Sequence, residues 1–142
     1  MNDEALAKML VNLATINREL SNESLLKQLN GDVLSYTAVK VAAMKATLIE
    51  FKIVAHQHML DMEVEKDRRK ALAYMKFKKE HGSTAAGDMK YMDEDFIKAQ
   101  NDFNKAKVSY EQLKSVTADS HDLIDSIKSR VIDLQTARKD ER

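Results

Sequence analysis

Apolar residues recur at steps of three and four along most of this chain. The run Leu6, Met9, Leu13, Ile16 and Leu20 predicts an amphipathic helix that opens near Asn2 or Asp3. "SNES" from Ser21 interrupts it. Leu25, Leu26 and Leu29 then form a short apolar turn, and Asn30 with Gly31 reads as a helix stop that leaves Asp32 to cap the next helix. From residue 33 to about residue 80 nothing breaks a helix, and Val41, Met44, Leu48, Phe51, Ala55, His58 and Met62 keep a seven-residue repeat. Beyond Met62 the same frame lands on Glu65 and Arg69 before Leu72. Either the buried face shifts there toward Val64, Ala71 and Met75, or the segment packs loosely.

"HGSTAAGD" is the hinge of the pattern. Gly82 suits a left-handed C-terminal cap, Ser83 or Thr84 the next N-cap, and Gly87 a first turn prone to fray. After it, Met89, Met92, Phe96, Ala99, Phe103, Ala106, Tyr110, Leu113, Thr117, Ser120, Ile124, Ile127, Val131 and Leu134 hold a strict heptad frame that only Thr117 and Ser120 weaken. Two long helices joined by so short a connection are expected to be antiparallel neighbours. The expected organisation is therefore an N-terminal amphipathic helix and connector at residues 1–31 and a coiled-coil-like hairpin at 32–142, turning near 81–87. A two-helix hairpin covers one side of each helix, so the remaining apolar surface implies a homo-oligomer.

Composition narrows the class to all-α. The 142 residues include no proline and three glycines, too few for a fold with frequent turns. No cysteine is present, which removes disulfides, thiolate metal sites and thiol nucleophiles and fits a reducing compartment. No run of about 18 apolar residues suits a membrane span, and "MNDEALAKML" lacks the build of a signal peptide. The expectation is a cytoplasmic protein with no membrane association.

Charge is balanced overall, 23 basic against 23 acidic, but unevenly placed. "EKDRRKALAYMKFKKEHG" at residues 65–82 gathers Lys66, Arg68, Arg69, Lys70, Lys76, Lys78 and Lys79 against Glu65, Asp67 and Glu80. Tyr74 lies one turn from both Lys70 and Lys78, with Phe77 beside them. Cations flanking an aromatic ring suit single-stranded nucleic acid: ammonium groups pair with phosphates and release counterions, and the ring stacks on any base. The alternative is structural. Basic residues favour a helix C-terminus, and Asp88, Asp93, Glu94 and Asp95 stand ready to pair with them across the turn.

No catalytic constellation emerges, and no cofactor or metal is called for. His56 and His58 are two apart on a helix and point in nearly opposite directions, so they cannot share an ion, and His58 reads as a seam position. His81 lies in the hinge and His121 on the last helix, without a nearby cluster of carboxylates at ligand spacing, and no phosphate-binding loop, dinucleotide turn or nucleophile elbow is present. The chain reads as a non-enzyme.

The pieces "RRKALAYMKFKKEHGS" at 68–83 and "DSIKSRVIDLQ" at 125–135 resemble the UvsY-type recombination mediators of bacteriophages and their shorter relatives, over roughly residues 36–135. The resemblance implies an accessory protein in the host cell cytoplasm that binds single-stranded DNA, forms a homo-oligomer and helps load a recombinase onto DNA coated by single-strand binding protein. By position, Lys70 with Arg68, Arg69 and Tyr74 falls in the family's DNA-contacting stretch, which Lys66, Lys76, Lys78 and Lys79 extend. It also implies self-association through the C-terminal part, here Tyr110, Leu113, Ile124, Ile127, Val131 and Leu134. The competing expectation is a structural or adaptor coiled coil that binds another protein and not nucleic acid.

Overall fold

The computed structural model describes residues 3–21 and 31–141. Among them only Gly82, Asp93 and Glu141 lie outside a helix, and there is no strand. The elements are α1 (Asp3–Ser21), α2 (Gly31–His81), α3 (Ser83–Met89), a 3-10 turn (Lys90–Met92) and α4 (Glu94–Asp140). The expected turn at Leu25, Leu26 and Leu29 and the stop at Asn30 lie outside the described residues. None of the helices is long and apolar enough to cross a membrane.

The chain divides into two compact units, Met1–Phe51 with Leu113–Arg142, and Lys52–Gln112. α2 and α4 contribute a segment to each. In the first unit, Leu13 and Ile16 of α1, Leu34, Val41 and Leu48 of α2, and Leu113, Leu123, Ile124 and Ile127 of α4 are buried. The α2 residues are seven apart, so one narrow line of the helix carries its burial. Thr117 and Ser120, the weak heptad positions, are buried as well, and each hydroxyl is satisfied inside the helix. Thr117 Oγ1 donates to Leu113 O at 2.7 Å and Ser120 Oγ to Val116 O at 2.8 Å. Lys45 Nζ lies 2.9 Å from His121 Nδ1, whose other ring nitrogen is 3.4 Å from Asp125 Oδ2. A groove of about 710 Å3 runs where Leu10, Leu13 and Ala14 of α1 meet Val116, Ser120 and Leu123 of α4.

In the second unit the buried side chains are Ala55, Ala73, Ala86, Phe96, Ala99 and Ala106. α2 and α4 meet there in falling order. His56 stacks on Tyr110 with ring centroids 4.7 Å apart, Lys66 Nζ sits 4.3 Å over the Phe103 ring, Arg69 approaches Asp95 at 3.8 Å and Lys76 approaches Asp93 at 3.9 Å.

Three sequence expectations need correction here. His58 is exposed and not a seam residue, because burial on α2 follows the single line through Ala55 and half-buried Met62. The buried face does not shift to Val64, Ala71 and Met75, all of which are exposed. Instead the line through Ala55 and Met62 continues to half-buried Arg69 and buried Ala73, while Leu72, the next position of the expected frame, is exposed; the Lys66 ammonium lies over Phe103, and a small groove of about 160 Å3 opens beside Met62, Glu65, Arg69 and Ala99. Finally, Met92 is exposed and outside the heptad frame, because α4 starts only at Glu94.

The punctuation explains that late start. Gly82 adopts φ 84°, ends α2 by donating its N–H to Lys78 O at 3.1 Å, and itself occupies the N-cap of α3 in place of Ser83 or Thr84. The 3-10 turn then delivers Asp93 in extended conformation, φ −67° and ψ 129°. Its Oδ2 accepts the Phe96 N–H at 3.0 Å, and its carbonyl accepts Ile97 N–H at 2.9 Å. That is N-capping by side chain and backbone together.

In urea unfolding, Leu48→Ala is expected to cost about 2–5 kcal/mol by emptying a fully buried site. Asp93→Ala should cost about 1 kcal/mol through the lost cap, and His58→Ala should change almost nothing. A loss at His58 comparable to that at Leu48 would refute the single-line burial of α2.

Candidate nucleic-acid interface

The basic stretch of α2 occupies its last five turns, and its side chains separate into three groups. The first is self-paired. Glu65 accepts from Arg68 Nε at 2.8 Å and Arg68 Nη2 at 2.9 Å, and also from Arg69 Nε at 2.7 Å. These spacings of three and four residues bring the groups onto one helix face. The Arg68 guanidinium first, then that of Arg69, holds the Glu65 carboxyl at about 2, well below its ordinary 4.5. Glu65 in turn raises Arg68 above its usual value. Arg69 additionally lies 3.8 Å from Asp95.

In the second group Lys66 and Lys70 are half-buried and Lys76 is exposed but close to a carboxylate. Lys66 lies over Phe103 and 3.9 Å from Asp67, and its side chain is mostly covered. Lys76 approaches Asp93 at 3.9 Å and the Phe77 ring at 5.2 Å. The acidic start of α4 thus does meet part of the basic stretch, though at distances where surface pairing contributes little.

The third group gathers at the end of α2 and the 3-10 turn. Half-buried Tyr74 has Lys78 Nζ 6.0 Å from its ring centre and Lys90 Nζ at 5.8 Å. Lys90 Nζ is also 5.1 Å from the ring of Tyr91, which is 54% exposed and braced edge-on against buried Phe96 at 5.9 Å. Lys79 is exposed nearby in sequence. Two aromatic rings interleaved with ammonium groups therefore stand at one place, and Tyr91 is the more exposed of the two.

Of the eight residues singled out in the sequence, only Tyr74 and Lys78 belong to this cluster, and Lys79 remains open beside Lys78 on α2. Lys66, Arg68, Arg69, Lys70 and Lys76 are spread over other faces or spoken for by neighbours. Lys90 and Tyr91 were missed. Their signal is the basic and aromatic pair "KY" shortly after the Gly82 hinge, which a chain turning back at Gly82 returns to Tyr74.

The residues expected to mediate self-association lie mostly inside the protein. Leu113, Ile124 and Ile127 are 4%, 8% and 1% exposed, Tyr110 is stacked on His56, and Val131 and Leu134 are half-buried. The first three are already covered within the chain itself. Among the described residues no group of three or more His, Asp or Glu side chains is placed to hold a metal ion.

Comparison with protein-family models, curated proteins and solved structures finds no match for this chain.

The Glu65 pairing fixes a pH response. A carboxyl lowered in the folded state contributes stability above its unfolded value, near 4.5, and loses that contribution as pH falls toward about 2. In an NMR titration the Glu65 carboxyl should show a midpoint near 2, rising toward 4.5 when Arg68 and Arg69 are both replaced by alanine. High salt should raise it in the same direction, since the pair is solvent-facing. An ordinary midpoint in the unaltered protein would refute the pairing.

Proposed function

We propose that this protein is a non-enzymatic accessory factor that binds single-stranded DNA through the Tyr74, Lys78, Lys90 and Tyr91 cluster. In this reading it acts as a recombination mediator of the UvsY type that assists recombinase loading onto strands coated by single-strand binding protein. The observation that carries the reading is the interleaving of the Tyr74 and Tyr91 rings with the Lys78 and Lys90 ammonium groups, for which no carboxylate partner stands among the described residues. Phosphates are neutralised by lysine, and Tyr91 stacks on a base of any identity, so binding is sequence-tolerant. The cluster is presented by what we read as an antiparallel, coiled-coil-like helical hairpin, a reading supported by the falling order of the contacts between α2 and α4. Cytoplasmic placement in a host cell follows from the same reading.

A second reading, a structural or adaptor protein that binds another protein, is favoured by one observation. Arg68 and Arg69 are engaged by Glu65, and Lys76 approaches Asp93, so much of the basic stretch is already balanced within the chain.

The deciding experiment is fluorescence anisotropy of a labelled single-stranded oligonucleotide across a salt series. Under the first reading the affinity falls steeply with salt, and Lys90→Ala reduces the log–log slope by about 0.7, one phosphate contact on a single strand. Tyr91→Ala weakens binding by about 1–3 kcal/mol with the slope unchanged. Absence of binding at low salt by a helical sample refutes the nucleic-acid reading and leaves the adaptor.

A further inference from the structure

The groove of about 710 Å3 between α1 and α4, within the first unit, has no part in the nucleic-acid reading. Leu10, Leu13, Ala14 and Asn17 line it from α1 at spacings i, i+3, i+4 and i+7, and Val116, Ser120 and Leu123 line it from α4 at i, i+4 and i+7. Each helix therefore contributes one stripe, about 11 Å long on α1 and about 15 Å on α4, where the lining runs on to Ser126. Leu13, Ser120 and Leu123 are buried and make the floor. The Ser120 hydroxyl already donates to Val116 O, so the floor presents apolar surface. A trough between two helices is a surface onto which a further helix packs.

The lip of this trough is charged in one sense only. Asp119 and Asp122 are the charged residues that line it, both are exposed, and neither carboxylate has a hydrogen-bond or ion-pair partner among the described residues. Asp125, one turn further along α4, differs in having His121 at 3.4 Å. We infer that the groove is a docking site for an amphipathic helix of a partner protein, one that sets leucine-like side chains into the trough and lysine or arginine side chains against Asp119 and Asp122.

The occupant's charge follows from the lip. A cationic flank pairs two carboxylates that have no partner, an acidic flank is repelled, and an uncharged one strips water from them without replacing it. Its backbone follows from the walls. Both are helices that bond their own N–H and C=O groups, so an extended peptide would lay unpaired polar backbone on an apolar floor, whereas a helix brings its hydrogen bonds with it. Its length follows from the stripe on α4, about three turns with anchors at i, i+3 or i+4, and i+7. Phosphate is repelled by the same lip, so this surface is independent of the strand-binding cluster and holds whether or not that cluster binds DNA.

The probe is a labelled synthetic peptide of about five helical turns, with leucine at i, i+3, i+4 and i+7 and lysine elsewhere, titrated with the full chain and read by fluorescence anisotropy. A second peptide carries glutamate in place of every lysine. The lysine peptide is expected to bind and the glutamate peptide is not. Replacing Asp119→Asn and Asp122→Asn together should weaken binding about tenfold. Ala14→Arg, which puts a long cation into the trough from an exposed position, should weaken it at least as much. Asp133→Asn, exposed on α4 outside the groove, should leave it unchanged. Circular dichroism checks that each variant keeps its helicity. No binding of the lysine peptide, equal binding of both peptides, indifference to the groove variants, or an equal loss with Asp133→Asn would each overturn the proposal.

Discussion

Burial along a single line of α2 is the constraint on which the rest of this structure depends. Leu34, Val41, Leu48 and Ala55 are spaced by seven residues, and all four are essentially inaccessible. Helices buried on so narrow a line form no thick core, and each keeps most of its circumference in solvent. Three features follow. Buried polar residues must satisfy themselves locally, as Thr117 and Ser120 do by donating to carbonyls one turn back. Charged side chains can cover apolar neighbours where apolar residues run out, as Lys66 does by laying its ammonium over Phe103. The opposite side of α2 is left free to carry apolar residues of its own.

The basic stretch shows how strongly local pairing reshapes a charge pattern. Seven cations in fourteen residues read in one dimension as a single positive surface. In three dimensions one carboxylate, Glu65, takes two of the guanidiniums because positions three and four apart share a helix face. The cations that remain around an aromatic ring are fewer, and half of them come from across the turn. Lys90 and Tyr91 reach Tyr74 because Gly82 takes a positive φ and a 3-10 turn postpones α4 until Asp93 can cap it.

Helix content, the left-handed glycine at position 82 and the α4 heptad from Phe96 to Leu134 were all legible in the sequence, because periodicity and the steric freedom of glycine are local properties. The absence of proline allowed helices of 51 and 47 residues, and nothing in the chain argued against them. What periodicity could not supply was which of two apolar lines on α2 would be covered. His58 and Val64 each sit at a plausible helical spacing, and only the burial of the line through Ala55 and Ala73 left both outside. Nor could the sequence decide which cations are free, since that depends on the rotamers by which Arg68 and Arg69 reach Glu65. The return of Lys90 to Tyr74 depends on the path of the chain through the turn. Periodicity is written residue by residue, whereas coverage and charge neutralisation are properties of neighbours, and those neighbours are chosen by the tertiary structure.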